Sequence, residues 1–333
     1  MNKDEFLFYC DWGTTSFRMY LVSSASPERV LQSFNTDIGI QSVFLAWDTR
    51  IGRAERRIDF YREVLLKAKR EFDCLPSYVL EVVPVLISGM ASSSIGMEEL
   101  PYAWVPFTDK DYQFKKINAD QNFRFDVFLF SGIRNAIDVM RGEETQCLGL
   151  LSKESSPFTD QENILFILPG THSKHVRVNE NAIIDFKTFL TGEMFGLLKE
   201  HSVLKHSVTD GGNGEPVDEK SFLSGVNASV NGNFLQLLFE VRTNALFKKL
   251  NACQNYYFLS GLVIGTELSS TRVSGIDCMV LCGTKKLNEL YGMALGHLFA
   301  NSKILVMKEE DVNASVILGL TNAYKNCMLY NEK

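Results

Sequence analysis

The sequence has no surplus of basic residues. Its 34 lysines and arginines stand against 40 aspartates and glutamates, which gives a formal net charge of −6 at pH 7. Nucleic acids and anionic membranes are usually bound through a basic patch, so we expect neither as a partner. A small anionic substrate is still allowed, because its site needs only a few local cations or backbone amides.

Long apolar runs are also missing. No stretch of about 18 apolar residues could span a membrane, and no basic and apolar leader precedes the first predicted strand. The seven cysteines are scattered and odd in number, which is typical of free thiols in a reducing compartment. Cys278 and Cys282 lack the second cysteine or histidine pair that would support zinc. We therefore predict a cytoplasmic protein, and a homodimer is compatible with the sequence.

The 333 residues, 45% hydrophobic and 22% charged, provide enough apolar material for two domains. The first half predicts three strands, a helix and a further strand, at 6–10, 17–23, 30–34, 51–72 and 82–88. The second half predicts the same opening of three strands and a helix, at 164–168, 175–178, 182–188 and 192–201. This repetition indicates an internal structural duplication. Further strands are predicted at 126–130, 277–282 and 304–306, and further helices at 141–151, 218–230, 234–250, 260–268, 285–299 and 312–328.

A turn rich in hydroxyls joins the first two predicted strands. It reads DWGTTS over residues 11–16. Gly13 lets the main chain approach an anion, Thr14 and Thr15 can donate hydrogen bonds to phosphate oxygens, and Asp11 can hold Mg²⁺ directly or through water. The turn favours nucleotide chemistry without a P-loop. An ordinary hairpin turn is the alternative.

A second turn stands at the equivalent place in the second half. Two such turns indicate a nucleotide site more specifically than one turn does, because phosphoryl transfer needs protein groups positioned at both the β- and the γ-phosphate. Lys174 is a candidate for neutralising phosphate charge and His172 for hydrogen bonding, with surface side chains as the alternative. His172 and His175 straddle the turn and a strand, so we do not expect a metal pair. The candidate phosphate-binding residues here are Gly170, Thr171, His172, Ser173 and Lys174.

Two adjacent glutamates, Glu143 and Glu144, follow a glycine at the predicted start of the helix at 141–151. A carboxylate can accept the proton of a hydroxyl group that attacks in a transfer reaction, and both glutamates are candidates for this role. Asp11 is the other candidate base, although we assign it to Mg²⁺. The alternative for the pair is favourable charge at a helix N-terminus.

Three further segments carry candidate site residues. The small-residue loop 88–96 follows a buried strand, where α/β proteins commonly bind ligands, although a solvated connection is equally consistent with the spacing. Arg18 can bind a substrate carboxylate through its two nitrogens, or it is solvated or paired within its domain. At Thr191-Gly192-Glu193 a helix begins, so free amides there can meet an anion, or Thr191 is an ordinary N-cap. The candidate substrate-binding residues are Arg18, Ser88, Gly89, Met90 and Ser93.

Six segments together resemble one family. In chain order they read DWGTTSFRMYLV, ISGMASSSIG, MRGEETQCLGLL, LPGTHSKHVRV, FKTFLTGEMFGLLKEHSVL and FLSGLVIGTEL. They are similar to the signature blocks of 2-dehydro-3-deoxygalactonokinases, in the actin-like ATPase superfamily. The resemblance implies an α/β fold of two ribonuclease H-like domains that face each other across an ATP cleft. It also implies transfer of the γ-phosphate of ATP, with Mg²⁺, to the 6-hydroxyl of 2-dehydro-3-deoxy-D-galactonate.

The resemblance also implies residue roles and a domain division. The glutamates are placed as in related exopolyphosphatases, which implies Glu143 as the base and Glu144 as an orienter of water or metal. Gly283 and Thr284 match the superfamily's adenosine loop, with a plain strand-to-helix turn as the alternative. The polar segment 153–162 is the predicted boundary. Residues 1–155 then form an N-terminal domain with the first phosphate turn and the sugar-acid loop, and residues 156–333 form a C-terminal domain with the second phosphate turn and the adenosine site.

Other functions stay open from the sequence. The protein could phosphorylate another sugar or sugar acid, or hydrolyse phosphoanhydrides like an exopolyphosphatase, with Glu143 activating water. A sugar-responsive regulator on the same fold would need a basic DNA-reading helix, which the sequence lacks.

Overall fold

A computed structural model describes residues 5–49, 56–152, 157, 163–209, 216–271 and 273–331. The chain forms two compact units. The first unit consists of residues 1–159, 181–185 and 310–333, and the second consists of residues 160–180 and 186–309. The predicted boundary segment 153–162 lies outside the described residues except for Pro157, as does the start of the predicted helix at 51–55.

Both halves open with three strands that are followed by helices. The strands are β1 (Phe6–Trp12), β2 (Phe17–Ser23), β3 (Ser26–Thr36), β4 (Val85–Gly89), β5 (Ala103–Trp104), β6 (Phe114–Ile117), β7 (Val127–Phe130), β8 (Ile133–Arg134), β9 (Val139–Met140), β10 (Asn163–Leu168), β11 (Ser173–Asn179), β12 (Ala182–Phe189), β13 (Cys278–Leu281) and β14 (Ile304–Val306). The helices are α1 (Ile40–Asp48), α2 (Arg57–Lys69), α3 (Ser77–Leu80), α4 (Glu143–Leu151), α5 (Thr191–His201), α6 (Glu219–Asn231), α7 (Phe234–Leu246), α8 (Ala252–Ser269), α9 (Lys285–Leu298) and α10 (Glu309–Asn331).

The first unit is built on a six-stranded sheet with the order β3-β2-β1-β4-β7-β6. β1, β2 and β3 form an antiparallel meander, and β4 pairs parallel to β1 on its other side. All five residues of β4 are buried, as expected for a strand that is covered on both faces. One face packs against α1 and α2 through residues such as Ile40, Tyr61 and Leu65. A small sheet of β5, β8 and β9 was not predicted.

The second unit is built on a five-stranded sheet with the order β12-β11-β10-β13-β14. β10 is antiparallel to β11 and parallel to β13, so the order repeats the β3-β2-β1-β4-β7 order of the first unit. The predicted internal duplication is therefore present in the strand order. In the core of the second unit, β10 and β13 pack against α6, α7, α8 and α9.

The last helix differs from the predicted domain division. The sequence assigned residues 156–333 to one domain, but residues 310–333 belong to the first unit. The physical reason is close packing: a Cβ on Gly149 would lie 1.9 Å from the carbonyl oxygen of Ser315, and the Tyr9 hydroxyl bonds the Thr321 hydroxyl at 2.8 Å. α10 therefore covers α4 and the sheet of the first unit.

α8 begins eight residues earlier than predicted, and its start is a capping box. The Asn251 side chain accepts the Gln254 N–H, and the Gln254 side chain accepts the Asn251 N–H. The helix is buried over most of its circumference, so it lacks the one-sided apolar periodicity that marks a surface helix. The predicted helix at 260–268 therefore covers only the second half of α8.

Candidate active site

The first glycine-threonine turn is held by the start of α1. The Gly13 N–H donates to the Ser16 carbonyl at 2.9 Å. The Ile40 and Gln41 N–H groups donate to the carbonyls of Gly13 and Thr14 at 3.0 and 3.1 Å. Thr14 and the following Thr15 are exposed. The turn is thus rigid at its base, with two threonines at its surface.

Asp11 lies near the end of β1 and pairs with Arg18 across the hairpin. Arg18 Nη1 donates to Asp11 Oδ2 at 3.1 Å. Burial raises the pKa of the Asp11 carboxyl, and Arg18 acts in the opposite direction. The guanidinium group of Arg18 therefore already has a partner within its unit, as the alternative interpretation expected.

Two glycines bring the end of β4 and the start of α4 close to Asp11. Gly89 has a φ of 93° and Gly142 a φ of 107°, a backbone region that favours glycine. A Cβ on Gly142 would lie 3.5 Å from the Gly89 Cα and 4.0 Å from Asp11 Oδ1. The structure thus brings together three separate sequence predictions: the aspartate, the small-residue loop and the glutamate pair.

The two glutamates occupy different environments. Glu144 is 1% exposed, and its two carboxyl oxygens accept the Gly142 N–H at 2.9 and 2.8 Å. Burial first, and then the charge of Glu143, raise the pKa of Glu144 to about 8. Glu143 is only partly buried. Glu144 is therefore engaged with its own helix, whereas Glu143 retains surface for a ligand.

The small-residue loop at 88–96 is largely buried. Ser88 is 2% exposed and, among the described residues, its hydroxyl has no hydrogen-bond partner. The Ser93 hydroxyl donates to the Met90 carbonyl at 2.7 Å, so it closes a turn of its own loop. Met90 is partly buried. The predicted substrate residues Ser88, Gly89, Met90 and Ser93 are thus together, but Ser93 already serves the backbone.

Sequence reasoning missed Arg141, which supports this loop. Its Nη1 donates to the Ser92 hydroxyl at 2.6 Å and its Nη2 to the Leu100 carbonyl at 3.1 Å. Its guanidinium lies 3.9 Å from the centre of the Tyr102 ring. The signal in the sequence was a charged residue directly before the Gly142 turn.

The second glycine-threonine turn joins β10 and β11. The Gly170 N–H donates to the Ser173 hydroxyl at 3.4 Å, and Ser173 is fully buried. Thr171 and His172 are exposed, and His172 Nε2 lies 2.5 Å from Glu193 Oε2. Lys174 is 5% exposed, so it is not the surface side chain of the alternative interpretation.

The start of α5 packs directly on this turn. The Glu193 N–H donates to the Thr171 carbonyl at 3.0 Å, and a Cβ on Gly192 would lie 2.5 Å from the Gly170 carbonyl oxygen. The alternative interpretation, in which Thr191 is the N-cap residue, was wrong. Leu190 is the N-cap residue, and the Thr191 hydroxyl donates to Glu267.

A cavity of about 270 Å³ opens beside the second turn within the second unit. Its walls come from the turn, the start of α5, α8 and α9, and include Gly170, Gly192, Ser260, Thr284 and Leu287. Thr284 is the N-cap residue of α9, and the preceding Gly283 N–H donates to Asn288 Oδ1 at 2.8 Å. One predicted adenosine residue, Thr284, therefore lines the cavity and the other, Gly283, adjoins it.

Buried polar side chains behind the second turn were also missed. They are His175, Glu267 and Tyr291, and Glu267 is 3% exposed. The only available signal was a glutamate inside an apolar helical segment. The three residues are far apart in the sequence, so no local pattern links them.

The acidic side chains of the site suit a metal that is held mainly by phosphate and water. Within the described ranges, no group of three or more histidine, cysteine, aspartate or glutamate residues could hold an ion. Kinase Mg²⁺ sites typically use only one or two carboxylates, with phosphate and water as the other ligands, so Asp11 fits such a site. All seven cysteines are reduced thiols, as predicted. Among the described helices, none is long and apolar enough to cross a membrane.

The repeated strand order and the paired turns define the class of fold, the two-unit actin-like ATPase fold. An activator of 2-hydroxyisocaproyl-CoA dehydratase from Clostridium difficile, solved with bound ADPNP, shares this fold with a TM-score of 0.50 at 11% identity over 98% of both chains. Residues 11–321 match the 2-keto-3-deoxy-galactonokinase family. The chain belongs to that family and is a carbohydrate kinase.

Individual relatives agree with this family. A probable 2-dehydro-3-deoxygalactonokinase of Rhizobium meliloti is 28% identical over 320 residues, 94% of each chain. The 2-dehydro-3-deoxygalactonokinase of Escherichia coli strain K12 is 30% identical over 271 residues, 79% of each chain. A crystal structure of a putative 2-dehydro-3-deoxygalactonokinase from Sinorhizobium meliloti has a TM-score of 0.74 at 25% identity and covers 96% of both chains. The predicted family is therefore confirmed.

Proposed function

We propose that this protein transfers the γ-phosphoryl group of ATP to the 6-hydroxyl of 2-dehydro-3-deoxy-D-galactonate. The family match over residues 11–321 carries the proposal. The meeting of Asp11, Gly89 and Gly142 beside Glu143 supports it, because a phosphoryl-transfer site needs a metal-binding carboxylate and a proton acceptor.

The second unit would bind the nucleotide. Its cavity is mostly apolar and adjoins both the Gly170 turn and the start of α5. An apolar cavity suits a base, and backbone amides at a turn and a helix start suit phosphates. Gly283 and Thr284 would contact the adenosine, and Gly170, Thr171, His172, Ser173 and Lys174 would form the phosphate side, with Lys174 acting from a buried position.

The first unit would carry the acceptor chemistry. Asp11 would hold Mg²⁺, directly or through water, and the metal when bound would neutralise charge on the phosphates. Gly13, Thr14 and Thr15 would donate hydrogen bonds to phosphate oxygens.

Glu143 would accept the proton of the attacking hydroxyl. Glu144 would instead hold the Gly142 turn, because both of its oxygens accept the Gly142 N–H. The resemblance implied that Glu144 orients water or a metal ion. In this proposal Glu144 instead supports the backbone at Gly142.

Recognition of the sugar acid would fall to the loop 88–96. Ser88, Gly89, Met90 and Ser93 lie in it, and the Ser88 hydroxyl, which is buried and has no partner among the described residues, could form a hydrogen bond with a ligand. Arg18 would contribute to carboxylate binding only if it shared its guanidinium with Asp11. A homodimer, the absence of nucleic-acid and membrane partners, and a cytoplasmic location stay predictions.

Coupled ADP release tests the proposal. The purified protein is assayed with Mg²⁺ and ATP against a panel of 2-keto-3-deoxy sugar acids that includes the galactonate and gluconate epimers. We expect the highest kcat/KM with the galactonate epimer, and the Glu143→Gln variant prepared in the same way controls for contaminating kinases. Turnover with no panel member would contradict the proposal. ATP consumption without any sugar acid would instead favour a phosphoanhydride hydrolase.

A further inference from the structure

A directional chain of hydrogen bonds lies behind the second turn. The Gly170 N–H donates to Ser173 Oγ at 3.4 Å, Ser173 Oγ lies 3.1 Å from Tyr291 Oη, and Tyr291 Oη donates to Glu267 Oε2 at 2.7 Å. Since the single hydroxyl hydrogen of Tyr291 goes to Glu267, the Ser173 hydroxyl must donate to Tyr291. The chain therefore runs from the backbone of the turn to one buried carboxyl group.

Glu267 also holds the start of α5. Its Oε2 accepts the hydroxyl of Thr191, the first residue of that helix. Its Oε1 lies 2.8 Å from Nε2 of His175, whose Nδ1 lies 3.3 Å from the Thr271 hydroxyl. Polar groups that are buried and fully hydrogen-bonded form rigid arrangements. One carboxyl group thus bonds three side chains directly, those of Thr191, His175 and Tyr291, and joins them into a single support.

The two segments that Glu267 anchors meet each other at the wall of the cavity. The Glu193 N–H bonds the Thr171 carbonyl at 3.0 Å, so the turn and the helix start are joined directly as well. Gly170, Thr191 and Tyr291 all line the cavity. The network therefore holds in place the backbone of this wall, where the turn and the start of α5 meet.

We infer that Glu267 and Tyr291 are positioning residues for the phosphates of the nucleotide. The inference rests on the proposed nucleotide site in the second unit. Phosphate is bound by oriented backbone N–H groups at turns and helix starts, and donors that are held in place before binding cost no ordering when the ligand arrives. Adenosine carries no phosphate, so its binding by the cavity walls does not depend on the network.

Tyr291→Phe tests this difference between ligands. The variant keeps the ring in the cavity wall and removes the bonds to Ser173 and Glu267. We expect the Kd of ADP, measured by calorimetry with Mg²⁺, to rise about tenfold, the size of one lost hydrogen bond. The Kd of adenosine should stay within about twofold of the wild-type value.

A second pair of variants separates an effect on the binding of phosphate from a general effect on the stability of the protein. Thr191→Val keeps the shape of the side chain but loses the hydroxyl that bonds Glu267, and Thr191→Ser restores a hydroxyl. We expect weaker ADP binding in the first and recovery in the second. Tyr9→Phe is the matched control, because it also removes a buried tyrosine hydrogen bond, to Thr321 in the first unit. Its Kd values for both ligands should be unchanged.

The outcomes are distinct. Equal weakening of ADP and adenosine binding by Tyr291→Phe, or no weakening of either, overturns the positioning role while the nucleotide site stands. If the wild-type protein binds neither ligand, the proposed nucleotide site and this inference both fail. If thermal unfolding shows that Tyr291→Phe does not fold, the Thr191 variants test the positioning role instead. The same comparison applies, namely the change in the Kd of ADP against the change in the Kd of adenosine.

Discussion

The Glu144 carboxyl group accepts the Gly142 N–H with both of its oxygens, at 2.9 and 2.8 Å. This contact supports Gly142 at a φ of 107°, where a side chain at this position would face Gly89 and Asp11. The neighbouring Glu143 is only partly buried. Two adjacent carboxyl groups in such different environments should perform different tasks, and the variants below distinguish them.

Glu143→Gln should lower kcat by about 10²-fold or more while ATP binding is retained, because an amide cannot accept the hydroxyl proton. Steady-state kinetics with saturating sugar acid, together with the Kd of ATP, measure both quantities. Glu240→Gln, at an exposed position on α7, is the control and should have normal kinetics. Near-normal turnover of Glu143→Gln would remove it as the base.

Glu144→Gln should change how stability depends on pH. The Glu144 pKa is raised from 4.5 to about 8, so between these values the native state holds a proton that the unfolded state has lost. Stability of the wild type should therefore fall as pH rises through this window. Glutamine does not titrate, so the variant should lack that contribution. Thermal unfolding from pH 5 to pH 8 measures it, and equal slopes in the two proteins would contradict the prediction.

Thr14→Ala and Thr171→Ala should each raise the KM for ATP, because each removes a hydroxyl at the exposed surface of a predicted phosphate turn. The loss of one hydrogen bond to a charged group predicts an increase of about tenfold or more. Thr49→Ala and Thr243→Ala are controls in the same two units, since their hydroxyls bond carbonyls of their own helices. Unchanged ATP kinetics in both turn variants would contradict the two-turn interpretation.

Gly142→Ala should lower both kcat and the free energy of unfolding. Expressed as free energies, the effect on kcat should be the larger. The positive φ of Gly142 predicts a strain of about 1–3 kcal/mol, but the new methyl group would lie 4.0 Å from Asp11 Oδ1, beside the proposed Mg²⁺ ligand. At Gly296 in α9, an added Cβ would have no described atom from outside its helix within 4 Å. Gly296→Ala should therefore stabilise the protein by about 0.5–1 kcal/mol and leave kcat normal. Denaturant unfolding and steady-state assays measure the two effects. Normal kcat in Gly142→Ala would argue against a metal at Asp11.

Much of the fold could be predicted because it is encoded locally. The three-strand openings of both halves follow from short apolar runs separated by turns, and α4 follows from its glycine and two acidic residues. The start of α8 depends on a capping box, and α10 joins the first unit because Gly149 permits close packing. Neither choice is marked by periodicity, since one is a side-chain geometry and the other a contact between distant segments.

The sequence by itself determined the succession of three strands and a helix that opens each half, the two glycine-threonine turns and the acidic pair, because each of these is written in contiguous residues. Six such segments in chain order determined the family. Only the tertiary structure decided that Glu144 is buried against Gly142 while Glu143 keeps exposed surface, and that Lys174 is buried. It alone linked Ser173 to Tyr291 and Glu267. Burial and hydrogen bonding depend on which distant segments pack together, and that information is absent from any one stretch of the chain.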